Sequence, residues 1–238
     1  MQLKLFLSIK PYRVNQGFGR DNTAASALQT YRNLGLNGHN GLDLRASHGQ
    51  PVYAAHAGVA YYEIDSNQGE GVVIRTAEPF DYKGGQAFFK TIYWHLCHPA
   101  KEPKLASPVF LFEQQTPGQG MPVKAGDLIG YADNTGLSTG DHLHFGLKPI
   151  LPGDNNGTDA TDFGIGDFYN VEQANGYYGA IDPTPYLVNQ YAQDLPMIEE
   201  GLSTAKKAAQ LIVEANLPDQ VKRSFLQVLV DFLKSIRF

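Results

Sequence analysis

The sequence has a single cysteine, Cys97, so no intrachain disulfide can form and the chain must be held by packing or by metal whatever compartment it works in. It has no run of about eighteen apolar residues, which excludes a membrane-spanning helix. It has no concentrated basic stretch either. A net charge of -5, with acidic and basic residues interspersed, argues against nucleic-acid binding, because neutralising phosphates needs a dense basic surface. The opening "MQLKLFLSIKPYRV" is interrupted by Lys4 and Lys10 and lacks a small-residue cleavage site, so it does not read as a cleavable signal peptide. Internal repeats and low-complexity linkers are missing as well. What remains is a length of 238 residues, enough for one substantial core or one domain with an appendage.

From residue 14 to 190 the chain alternates short apolar runs with Gly, Pro, Asn and Asp, the texture of an all-β domain. Expected strands are "PVYAAHAGVAYYEI", "GEGVVIRT", "FFKTIYWHL", "DLIGYAD" and "HLHFGLK", with one short helix over 24–34 started by "DNT". From Asp194 onward the residues favour helix. "IEEGLSTAKKAAQLIVEAN" and "DQVKRSFLQVLVDFLKSIRF", separated by "NLPD", predict a helical hairpin. The expected architecture is therefore mainly β: an antiparallel sheet or barrel-sandwich-like core with a substrate groove, plus a C-terminal α-helical hairpin. The boundaries are a short lead-in over 1–13, a core domain over 14–190 and the hairpin over 194–238.

Two short stretches carry chemistry. In "GHNGLDL", His39 and Asp43 would lie about 13 Å apart on a straight strand, too far to share a metal at about 2 Å. The chain must bend between them, and Asn40 and Gly41 permit that; Gly41 would also leave room for an ion or substrate. In "STGDHLHFG", His142 and His144 fall on one face of a strand about 6.6 Å apart, with Leu143 turned to the core. A third stretch, "YWHLCH", alternates so that Tyr93, His95 and Cys97 share a face, making His95 a further candidate for the groove. Catalytic zinc typically takes three protein ligands and keeps a fourth position for water. One aspartate and two histidines would satisfy it, and the remaining histidines could orient that water or move its proton.

Taken together and in order, "GHNGLDL", "GQPVYAAHAGVA", "YWHL", "PVKAGDLIGYADNTG" and "STGDHLHF" resemble the lysostaphin or LytM-type zinc endopeptidases of bacterial peptidoglycan, over roughly residues 14 to 190. The resemblance implies one Zn²⁺ per chain held by His39, Asp43 and His144, with His142 and His95 as the catalytic histidines beside it. It also implies a β core whose motif strands floor a narrow groove, and peptidoglycan stem or crossbridge peptides as substrate. Departures from the family pattern are Asp141 and His48, where proline is common, and Gly146, where an acidic residue is common. None falls on a ligand or catalytic position. The competing class is a module that binds wall peptide, or regulates another hydrolase, without cutting. Because inactive relatives usually lose ligands, the presence of all five groups favours the enzyme.

Tyr93, beside His95, is expected to touch substrate. His48, His56 and His98 match no family position and read as structural; Cys97 shares a face with His95 and could bind metal, but a buried free thiol is the favoured reading. "DNNGTDATD" has calcium-like spacing but lacks the glycine and the closing glutamate of an EF-hand loop. Segments 98–121 and 151–179 read as insertions that could wall the groove, the second rich in aromatic residues such as Phe163, Phe168 and Tyr177. In the last helix Val221, Phe225, Leu229, Phe232, Leu233 and Ile236 recur at helical spacing. Packing against residues 197–214 and the β domain is the expected cover for that face, ahead of homo-oligomer formation, with membrane contact the least favoured because Asp219 and Asp231 dilute its basic side. Without a signal peptide, a wall hydrolase would reach its substrate by lysis, in a phage particle or by another export route.

Overall fold

The computed structural model describes residues 1–152, 168–215 and 218–235. The "DNNGTDATD" segment and Phe163 lie outside them, as does Ile236. The elements, in order, are β1 (Leu5–Leu7), β2 (Val14–Gln16), α1 (Ala25–Asn33), β3 (Leu42–Arg45), β4 (Pro51–Tyr53), β5 (Gly58–Asp65), β6 (Gly69–Thr76), β7 (Phe80–Tyr82), β8 (Gly85–Leu96), α2 (Pro108–Gln115), β9 (Met121–Val123), β10 (Leu128–Tyr131), β11 (His142–Pro152), β12 (Phe168–Asn170), β13 (Leu187–Tyr191), α3 (Leu195–Glu214) and α4 (Asp219–Ser235). They fall into two compact units, Met1–Ala192 and Gln193–Phe238.

The first unit is built on an antiparallel sheet in the order β2-β3-β11-β8-β6-β5-β9, with β12 added to β11 and β7 to β8. Its two faces are set by period-two alternation. On β11, Leu143, Phe145 and Leu147 point one way and are buried, and the register places Leu44 opposite Leu143, Leu42 opposite Phe145 and Tyr93 opposite Phe145 on the other side. This face forms the core with Val72, Ile74 and Phe89. Two small ribbons cover it: β4 with β10, contributing Val52 and Ile129, and β1 with β13, contributing Leu5. The opposite face carries His142, His144, Trp94 and Ile92 and is left to form the groove.

The N-terminal segment is more than a lead-in. β1 pairs with β13, in parallel, and Leu3, Leu5, Leu7 and Ile9 are all buried. Leu3, Leu5, Leu7 and Ile9 recur with period two, the pattern of a strand with one buried face, and the sequence reading set the run aside because its charges argued only against a signal peptide. Segment 98–121 also differs from expectation. It turns back onto the domain as α2, where the Ser107 side chain accepts from the Val109 and Phe110 N–H groups and its hydroxyl donates to the Ile129 carbonyl at 2.6 Å. Val109 is sealed in the core. The segment fills the domain and lines none of the groove.

In the second unit α3 and α4 pack on each other. Leu229 faces a pocket lined by Met197, Gly201, Thr204, Ala205 and Ala208, and the Lys222 ammonium donates to the Val213 carbonyl near the end of α3. Only part of the expected apolar face is covered this way, since Val221 and Phe225 remain exposed. Among the described residues no helix is long and apolar enough to cross a membrane.

Because Leu5 is fully buried against the sheet, Leu5→Ala should cost about 2 to 5 kcal/mol and lower the thermal midpoint by several degrees. An unchanged melting curve would show that residues 1–13 are dispensable after all.

A candidate metal centre and its groove

The register between β3 and β11 places Asp43 directly opposite His144. Cross-strand partners on one face bring their side chains together, and the Asp43 Oδ1 lies 3.1 Å from the His144 Nδ1. His39 arrives from outside the sheet. Its backbone N–H donates to the Thr23 hydroxyl at 2.9 Å, that hydroxyl donates to the Gly19 carbonyl at 2.8 Å, and the His39 carbonyl accepts from the Gly19 N–H at 2.8 Å. The His39 Nδ1 donates to the Gly17 carbonyl at 2.9 Å, which orients the ring and leaves Nε2 facing the other two groups. That Nε2 lies 3.0 Å from the Asp43 Oδ1 and 3.1 Å from the His144 Nδ1. Three donor atoms from three segments thus converge on one point.

The bend between His39 and Asp43 has the expected glycine, for a different reason. A Cβ on Gly41 would sit 2.7 Å from the His144 Nε2 and 2.7 Å from the Phe145 carbonyl oxygen. The space Gly41 leaves is occupied by the His144 ring and the neighbouring strand, rather than kept for an ion or substrate.

His95 reaches the same place by an irregularity. Sequence alternation put His95 on one face with Tyr93 and Cys97 and took that face to be the groove; in the structure it is the core face, where regular alternation would leave His95 with Tyr93. Instead the pairing of β6 with β8 shifts, Gly71 opposing Trp94 and Glu70 opposing Leu96, so that His95 is the extra residue of a bulge. Its φ is +65°, a left-handed conformation that non-glycine residues rarely adopt. Thr135 locks it there: its carbonyl accepts from the His95 Nδ1 at 2.7 Å, while its hydroxyl donates to the Leu96 carbonyl at 2.8 Å and accepts from the Glu70 N–H at 3.1 Å. The His95 and His142 rings then lie 4.5 Å apart. The His142 Nδ1 donates to the Gly140 carbonyl at 2.8 Å. Both rings therefore hold their Nδ1 protons on backbone carbonyls, and the His142 Nε2 lies 3.5 Å from the Asp43 Oδ1. Thr23 and Thr135, which sequence reading passed over, are what aim His39 and His95; the only signal for them was a threonine close to each glycine-rich turn.

Burial acts on every titratable group here. It would raise the Asp43 carboxyl, but hydrogen bonds from His142, His144 and His39 outweigh it and hold the group well below the usual carboxylate range. Desolvation pushes His95 down to about 4, with the neighbouring His144 and His142 adding to the shift, and it lowers His144. For His142 burial is opposed by the hydrogen bond and charge of Asp43, and the net direction is upward. The shifts of Asp43 and His144 run in the direction that metal binding requires of a carboxylate and an imidazole ligand.

These groups open into a groove of about 340 Å³ lined by His39, Asp43, His95, His142 and His144. One wall is α1, through Ala27, Thr30, Tyr31 and Leu34; the other is Leu137, Ser138 and Thr139 with Asn67 and Gln68 of the β5–β6 turn. Beyond His144 it continues into a second hollow over Trp94, Ile92 and Tyr178, and the Tyr178 hydroxyl donates to the Leu34 carbonyl. Gly71 makes this floor, since any Cβ there would strike the Trp94 ring. Tyr93 is not part of the groove. It is fully buried, its hydroxyl accepting from the Ala55 N–H at 2.9 Å, because without the bulge to turn it the residue keeps the core-facing side of β8. Tyr31, missed in the sequence, is the phenol that does line it; its hydroxyl accepts from Gln16 and burial pushes its pKa up to about 12. His56, buried, bonds to Thr91 and the Ala57 carbonyl, and His98 sits 3.5 Å from Glu70.

No protein-family model and no curated protein matches the chain. Among solved structures it is similar to a zinc-containing peptidase from Vibrio cholerae, at 23% identity over 63% of this chain and 37% of that one, with a TM-score of 0.44. It is also similar to the catalytic domain of the antimicrobial peptidase lysostaphin from Staphylococcus simulans, at 22% identity over 74% and 91%, TM-score 0.43. A third is the catalytic domain of the prophage-encoded M23 protein EnpA from Enterococcus faecalis, at 21% identity over 59% and 82%, TM-score 0.40.

Gly41→Ala tests the packing behind the ligands. Displacing His144 should weaken metal affinity about 10- to 100-fold and destabilise the fold by about 1 to 3 kcal/mol, read by competition with a chromophoric chelator and by thermal melting. Native affinity in the variant would show that the ring has room to move.

Proposed function

We propose that this chain is a zinc-dependent endopeptidase that hydrolyses peptide crosslinks of bacterial peptidoglycan. The observation that carries the reading is the convergence of His39 Nε2, Asp43 Oδ1 and His144 Nδ1 at mutual distances of 3.0 to 3.1 Å. Ligands of a tetrahedral zinc at about 2.0 to 2.1 Å stand about 3.3 Å from one another, so a shift of a few tenths of an ångström admits the ion. Two imidazoles and one carboxylate are a donor set suited to zinc, and the side-chain hydrogen bond of His39 to Gly17 is the outer support such ligands use. Three protein ligands leave a position for the reacting groups. When bound, zinc would act as a Lewis acid that lowers the pKa of water toward neutrality and polarises the scissile carbonyl.

The rest is done by the chain. His95 and His142 present Nε2 toward the same point, so one takes the proton released in the attack and the other donates a hydrogen bond to the oxygen on which charge develops. The Tyr31 hydroxyl, kept protonated by burial and by the nearby Asp43 charge, is a second donor on the α1 wall. The groove is open along the sheet, which suits an extended peptide, and the peptidoglycan assignment rests on the ordered motifs of the sequence.

Replacing His39, Asp43 or His144 by Ala should remove one equivalent of zinc and wall hydrolysis together. His95→Ala and His142→Ala should keep that zinc while turnover falls about 10²- to 10⁴-fold. Mass spectrometry of fragments released from purified walls, one with glycine bridges and one with D-alanyl crosslinks, identifies the bond cut. Zinc-loaded protein that releases nothing from either wall would overturn the enzyme reading in favour of a binding module.

A further inference from the structure

A second cluster with metal-ligand character lies outside the groove, and it includes His48 and Cys97, which the linear sequence marks as structural. His48 follows β3, Cys97 follows β8, Glu102 precedes a short 3₁₀ turn over Pro103–Leu105, and Asp133 follows β10. One ligand atom from each lies within 4.8 Å of all the others. The His48 Nδ1 is 3.0 Å from the Asp133 Oδ1 and its Nε2 is 2.8 Å from the Glu102 Oε2. An imidazolium bridging two carboxylates would account for those three residues. It gives no reason for the fourth, the sequence's only thiol, which donates to the Ala132 carbonyl at 3.5 Å and lies against the Gly49 backbone.

We propose that His48, Cys97, Glu102 and Asp133 bind a second zinc ion, and that this site is structural. The donor set is one nitrogen, one sulfur and two carboxylate oxygens, and sulfur selects zinc over the hard cations calcium and magnesium. Four protein ligands make a closed site, in contrast to the three of the groove. The geometry closes cheaply: Cys97 is buried and Asp133 is 13% exposed, while the side chains that must move by about an ångström to reach tetrahedral spacing, His48 and Glu102, are 47% and 34% exposed. On binding, the Cys97 thiol and the His48 imidazolium each lose a proton to solvent, so two carboxylates, a thiolate, a neutral imidazole and Zn²⁺ leave a net single negative charge.

The consequence of occupancy lies in the backbone. The Asp133 N–H donates to the His95 carbonyl at 2.7 Å, and its carbonyl accepts from the His142 N–H at 3.2 Å. The Cys97 N–H donates to the Tyr131 carbonyl, and the His48 N–H donates to the Asp141 carboxylate at 3.2 Å. An ion here ties together the ends of β8, β10 and β11 at the residues that carry both groove histidines, in a chain that cannot use a disulfide for the purpose.

Cobalt titration of the full-length apoprotein tests this directly. Cys97 is the only cysteine, so a near-ultraviolet sulfur-to-cobalt charge-transfer band can arise nowhere else. The expected result is about two equivalents of Co²⁺ per chain with that band present, and zinc displacing both. Cys97→Ser should abolish the band and one equivalent while the groove cobalt keeps its visible absorption; His48→Ala, an exposed change, should loosen the same equivalent. Folded native protein saturated with cobalt and showing no charge-transfer band would overturn the proposal, whatever the variants do. One equivalent accompanied by the band would support this site and count against the groove site instead.

Discussion

The site depends on a single pairing register, that of β3 against β11. Asp43 faces His144 because Leu42 faces Phe145 and Leu44 faces Leu143, so the same alternation that buries the leucines and the phenylalanine delivers the carboxylate and the imidazole to the opposite side. A slip of one residue would put Asp43 and His144 into the core and the apolar side chains into the groove. The hydrophobic effect therefore protects the geometry of the polar site, since a register slip that misplaced Asp43 and His144 would also lose the core. This couples burial and chemistry more tightly than any hydrogen bond in the groove.

A second layer of control comes from groups that touch neither metal nor groove. Thr23 holds the His39 backbone, Gly17 holds its ring, and Thr135 holds both the His95 ring and the bulge that carries it. Each is a short-range bond to the main chain, so the imidazoles are aimed by backbone and lose little when exposed side chains move. Gly41 and Gly71 do the complementary job of leaving space, one for the His144 ring and one for Trp94.

The sequence made legible whatever follows from periodicity and local turn chemistry. Alternation in "HLHFGLK" predicted the two faces of β11, and the demand that His39 and Asp43 approach one another predicted a bend at Asn40 and Gly41. Alternation misled at β8, because a bulge is decided by pairing with β6 and by Thr135 forty residues away, neither of which is visible in "YWHLCH". The same error put Tyr93 beside substrate when it belongs to the core. β1 was missed because its partner β13 is more than 180 residues distant, and the cluster around Cys97 because its four members come from three separate connections, β3–β4, β8–α2 and β10–β11. Non-local pairing is the information that a linear pattern lacks.

The left-handed backbone of His95 sets two pressures against each other. Only glycine adopts that conformation freely, and an L residue there costs about 1 to 2 kcal/mol. A lineage in which the groove no longer matters would gain stability by replacing the histidine with glycine, or by deleting the bulged residue and letting β6 and β8 pair without interruption. Loss of function at this position would leave a better sheet behind, so the imidazole persists only while selection acts on what it does.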